Sequence, residues 1–99
     1  MEKMMIVKKS LPMRRVNLGD RESNCKGLLL SDGIDTVLAE AWGDQAANLE
    51  SIAEGDELNV WVQLTVGEST KDGQARYFNR ARIVDFFVIK KKAQEAPAF

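Results

Sequence analysis

Nine side chains in this 99-residue sequence are of the kinds that could hold a polyanion. Trp61 and Phe78 offer flat rings; Arg14, Arg15, Lys26, Lys71, Arg76, Arg80 and Arg82 offer cations. Cations replace condensed counterions along a phosphate backbone, and each base stacked on a ring contributes about 1–3 kcal/mol. Spacing adds to composition. Phe78, Arg80 and Arg82 stand at every second position, so a strand would set them on one face, with Tyr77, Ala81 and Ile83 on the other. Residues 58–66 alternate strictly: Leu58, Val60, Val62, Leu64 and Val66 are apolar, while the intervening row is polar except for Trp61. An indole on the wet row of a strand points to a contact outside its own chain segment. The same residues also admit a plainer account, with Phe78 in a core, two solvated arginines, and Trp61 covered by a neighbouring subunit.

What is missing narrows the chemistry. The chain has no histidine, which removes the commonest general base and nearly every zinc site. A carboxylate–metal enzyme built on Asp32, Asp35 and Glu40 has spacing but no supporting motif, so neither catalysis, a metal nor a cofactor is expected. Cys25 is the single cysteine, so no disulfide can form within the chain, and a cytoplasmic setting is expected. No apolar run approaches the roughly 18 residues of a membrane span. The net charge of −1 conceals a segregation. Between Asp32 and Glu57 stand Asp32, Asp35, Glu40, Asp44, Glu50, Glu54, Asp56 and Glu57 with no basic residue, and both flanks are net basic. A near-neutral total is therefore compatible with a polyanionic partner on one face.

Positioning falls to short strands. A first strand is expected over residues 4–16, with Pro12 forcing an edge or a bulge. A second is expected over 23–30, where Gly27 suggests a bend, and a third over 36–42. Asp44 reads as an N-cap, and Ala46, Leu49, Ile52 and Ala53 fall at helical spacing before Gly55, predicting a helix of up to three turns whose Leu49 and Ile52 cap a core. Trp42, beside the helix start, is expected in the core or at its rim. The fourth strand carries Trp61, Asp72-Gly73 makes a tight hairpin, and the fifth strand runs over 75–89 with Phe86 and Phe87 on opposite faces. This order predicts an all-β fold, a five-stranded OB-fold barrel with one short helix between strands 3 and 4. An SH3-like barrel is the competing small barrel. Residues 1–90 would form the domain and 91–99 a flexible tail.

From residue 39 to about 87 the sequence resembles bacterial and phage single-stranded-DNA-binding proteins of the OB-fold type. The residues that carry the resemblance are Ala41-Trp42-Gly43-Asp44, Ala46-Ala47-Asn48-Leu49, Glu54-Gly55-Asp56-Glu57-Leu58-Asn59-Val60 and Asp72-Gly73-Gln74-Ala75-Arg76-Tyr77. The N-terminal half departs from that pattern, and Glu95-Ala96-Pro97-Ala98-Phe99 is similar to the acidic Pro-Phe tail with which the family recruits repair proteins. The resemblance implies binding of single-stranded DNA with little sequence preference, RNA being the other single strand left open. It also implies self-association into a homo-oligomer, and replication or repair partners for the tail. The alternative is an assembly module with Trp61 at a subunit interface.

Overall fold

The structure is a computed structural model that describes residues 2–92. Seven elements follow one another: β1 (Glu2–Ser10), β2 (Arg14–Asn17), β3 (Glu22–Ser31), β4 (Thr36–Trp42), α1 (Asp44–Asn48), β5 (Glu57–Lys71) and β6 (Gln74–Lys90). β1 pairs with β5, β5 with β6, β6 with β4, β4 with β3, and β3 returns to β1, so the sheet closes into an OB-fold barrel. All these pairings are antiparallel except β4 with β6. β2 lies along β3 beyond the end of β1, with Arg14 opposite Cys25. The expected first strand is thus one path interrupted at residues 11–13. Pro12, which lacks an amide proton, sits in the interruption. Gly27 makes no bulge against β4, and it falls where β3 changes partner from β2 to β1; the register irregularity is between β1 and β3, at Val7 and Lys9.

The alternation read from the sequence builds the core. Met5 and Val7 of β1, Leu28 and Leu30 of β3, Ala39 and Ala41 of β4, Leu58, Val60 and Val62 of β5, and Ala81 and Ile83 of β6 form one buried cluster. Each leucine taken fully from water contributes about 1.5–3 kcal/mol. Leu49 and Ile52 close one end, as expected, but the helix that should carry them is short. Gly43, not Asp44, occupies the N-cap, and the helix ends at Asn48. Tighter turns follow, with the amide of Ile52 donating to the carbonyl of Leu49. The reason lies in Asp56, whose buried carboxylate accepts the amide of Ala53 at 2.9 Å and so competes with a helical continuation. The Gly55 amide donates to the Val7 carbonyl and the Val7 amide to the Asp56 carbonyl, which ties the segment to β1.

Asp56 also binds the end of β6. It accepts a hydrogen bond from the ammonium of Lys91 at 2.7 Å and from the amide of Lys92 at 3.0 Å. Burial alone would raise the Asp56 carboxyl, but Lys91 and the two amides outweigh it and hold the group below the usual carboxylate range. Lys91 and Lys92, read from the sequence as the start of a tail, are therefore fastened to the barrel. The remainder of the expected tail, with its Pro-Phe ending, lies outside the described residues.

Two irregularities shape what the barrel presents. Opposite Trp61 and Val62 the β6 register slips, leaving Val84 unpaired between Ile83 and Asp85. That bulge exchanges the two faces of β6. Ala81 and Ile83 face inward before it; Phe86 and Val88 pack on the core after it, and Phe87 faces out. The other is an arm. β6 meets β4 only at Ala81 and Arg82, yet its pairing with β5 continues to Lys71 and Gln74. Leu64 and Val66, assigned to the core by their alternation, are 60% and 68% exposed, because the hairpin has outrun the strands that would cover them. The molecule measures 62 × 32 × 20 Å.

Candidate nucleic-acid interface

The arm has two faces. Lys71, Ser69, Gly67 and Thr65 of β5 lie opposite Gln74, Arg76, Phe78 and Arg80 of β6, and Gln63 lies opposite Arg82. One outward row therefore carries Arg76, Phe78, Arg80 and Arg82, with Lys71 at the tip. The tip is a two-residue turn in which Asp72 and Gly73 take φ of 54° and 76°, as the hairpin reading expects. Gly67 matters for a different reason. A Cβ there would fall 2.4 Å from the Phe78 ring, so the absence of a side chain lets the ring lie across the arm. The Arg80 guanidinium carbon stands 5.1 Å from the centre of that ring, within cation–π range.

The row runs into an open groove of about 420 Å³ at the barrel wall. Arg80, Arg82, Gln63 and Thr65 line one side; Trp42, Glu40 and Ser23 line the other, and Arg21 and Leu18 close the rim. Glu40 is brought beside Arg82 by the short parallel pairing of β4 and β6. Alternate residues of a strand stand about 7 Å apart. That is roughly twice the ~3.4 Å rise per nucleotide of a duplex strand, so the arginine spacing suits an extended strand.

The other sequence-derived candidates lie elsewhere. Arg14 is ion-paired with Glu40, and its guanidinium also donates to the Cys25 sulfur at 3.5 Å. Burial pushes the Cys25 thiol up, against the opposing pull of Arg14. Arg15 pairs with Glu22 at 3.2 Å. Lys26 is buried, with its ammonium donated to the carbonyl of Leu11, so it is not offered to a phosphate. Trp61 is half-buried on the outer wall, opposite Glu2 and Asp85, and its ring packs on Phe87 with centroids 6.3 Å apart and planes tilted by 40°. It does not line the groove. The groove's ring is Trp42, which the sequence reading leaves at core or rim. Its placement follows from its pairing with Cys25 on β3, a long-range fact that its local apolar neighbours do not reveal.

The carboxylates weighed for metal chemistry are dispersed. Asp32 caps its own turn, accepting the amides of Ile34 and Asp35 at 2.8 Å, and pairs with Lys3. Lys3 first, then the two amides, hold its carboxyl well below the usual range. Among the described residues no three histidine, cysteine or carboxylate side chains gather in a way that could hold a metal ion.

No family model matches the chain, and no curated protein does. Among solved structures, the crystal structure of the small single-stranded DNA-binding protein from Streptomyces coelicolor is similar with a TM-score of 0.54, covering 95% of this chain and 94% of that one. The two share a fold. At 20% identity the likeness is one of chain path rather than of side chains.

Proposed function

We propose that this protein binds single-stranded DNA along the arm and groove, with little sequence preference and no covalent chemistry. The observation that carries the reading is the unbroken outward row Arg76, Phe78, Arg80 and Arg82, which leads from the tip of the arm to the groove walled by Trp42. Arg76, Arg80, Arg82 and Lys71 take the places of counterions, and Phe78 and Trp42 receive bases. Support comes also from the shared fold with a small single-stranded DNA-binding protein.

The test is a tryptophan-fluorescence titration with oligo-dT at 50 mM and 200 mM salt, repeated with Trp42→Phe and Trp61→Phe. Quenching should be strong at low salt, survive Trp61→Phe and be lost in Trp42→Phe. No quenching and no anisotropy change at low salt would end the DNA reading. An oligo-U competitor reports on RNA.

A second reading concerns Trp61. Its strand neighbours on the outer wall include Met4 at 61% exposure and Phe87 at 53%, with Ile6 and Ile89 also exposed. Exposed apolar side chains gathered on one wall, here around Asn59, are typical of a protein contact, and we assign them to self-association of the chain. Sedimentation of Phe87→Asp against the wild type should show loss of the oligomer; identical sedimentation would refute the assignment.

A further inference from the structure

Glu40 is out of place in a groove meant for phosphates. Its side chain is 25% exposed at the groove wall, between Trp42 and Leu38 on β4 and beside Arg82 across the parallel pairing. A carboxylate there repels a backbone phosphate. It also engages a cation that could otherwise serve, because one of its oxygens accepts the guanidinium of Arg14, whose side chain is 60% exposed. The same oxygen lies 3.5 Å from the buried Cys25 sulfur, which helps to fix its orientation.

Resting on the DNA reading above, we propose that Glu40 withholds Arg14 from the strand, so that it limits affinity and keeps phosphates to the arginine row on β6 while bases turn toward Trp42. The free protein keeps Arg14 neutralised beside the groove, against Glu40 of its wall. A bound strand crosses that wall with one phosphate contact fewer than the protein's arginines would allow.

The consequence can be measured because counterion release counts phosphate contacts. For single strands the slope of log K against log salt changes by about 0.7 per contact. Glu40→Gln retains the size of the side chain and removes its charge, freeing Arg14. Taking the added contact as counterion release alone, binding should tighten by about eightfold at 50 mM salt and about threefold at 200 mM.

The experiment measures anisotropy of labelled oligo-dT with wild type, Glu40→Gln, Arg14→Ala and the double variant between 50 and 200 mM salt, with thermal melts to establish that each is folded. Glu40→Gln should steepen the slope by about 0.7, and adding Arg14→Ala should return it to the wild-type value. An unchanged slope in Glu40→Gln while the wild type binds overturns this proposal alone. So does a gain that persists in the double variant, which would assign the effect to lost repulsion. A shallower slope in Arg14→Ala alone would place the guanidinium already on the strand and overturn it too. Absence of wild-type binding would overturn the DNA reading and this proposal together.

Discussion

Gly67→Ala should weaken DNA binding without unfolding the protein. The added Cβ would stand 2.4 Å from the Cε2 and Cζ atoms of Phe78, closer than any real contact, so the ring must leave the arm's face. It can do so, because Phe78 is 40% exposed and the arm is open to solvent. Gly67 is not in the left-handed region, so alanine brings no backbone strain, and its smaller unfolded-state entropy favours the fold by up to about 1 kcal/mol. The melting temperature should therefore hold or rise slightly. The loss falls on the stacking platform and on the Arg80 contact that shares it. One stacked base is worth about 1–3 kcal/mol. At 1.4 kcal/mol per tenfold, the oligo-dT affinity should fall by about 5- to 150-fold. Titration by anisotropy reads it directly, and Phe78→Ala should give a loss of the same size with no addition in the double variant. Wild-type affinity in Gly67→Ala, alongside a weakened Phe78→Ala, would refute the idea that the ring acts from its place over Gly67.

Other expectations concern charge and the barrel. Arg82→Ala should lower the magnitude of the salt slope by about 0.7, since it removes one phosphate contact and no ring; an unchanged slope would take Arg82 out of the path. Asp56→Ala leaves two amides without their acceptor and Lys91 with only the Ser51 carbonyl, and should cost about 3 kcal/mol in urea unfolding. Because the Asp56 and Asp32 carboxyls are held below their unfolded values, their stabilisation is complete above the ordinary carboxylate pKa near 4 and is lost as pH falls through the lower folded values. Asp56→Ala should therefore flatten the fall in melting temperature below about pH 4, and a curve parallel to wild type would refute the assignment.

Much of the architecture could be read from local chemistry. The alternation of residues 58–62, the paired turn residues Asp72 and Gly73, and the break at Pro12 all act within a few residues, and the structure keeps them. Residues 36–42 form the third barrel strand as expected, and Phe86 and Phe87 do face opposite ways. The row Phe78, Arg80 and Arg82 was legible for the same reason: a strand puts every second residue on one side whatever it pairs with.

What the pattern could not say is which other strand covers a given side. Leu64 and Val66 continue the alternation of Val62, yet β4 stops beside Ala81 and leaves them in water. The helical spacing from Ala46 to Ala53 was real, but the buried Asp56 carboxylate takes an amide the helix would need and holds the end of β6 instead. Trp42 stands at the groove wall because β4 pairs with β3 on one side and meets β6 on the other, whereas Trp61, farther along the outward row of β5, packs on Phe87. The single-chain pattern also offered Arg14 as a free cation, whereas the pairing of β2 with β3 and β3 with β4 brings it to Glu40, 26 residues away. Local sequence thus determined the strands, their turns and the side on which each residue stands. Only the pairing of the strands in the barrel decided which of those sides are covered, which rings share the groove and which charges are already paired, because such contacts join residues far apart in the chain.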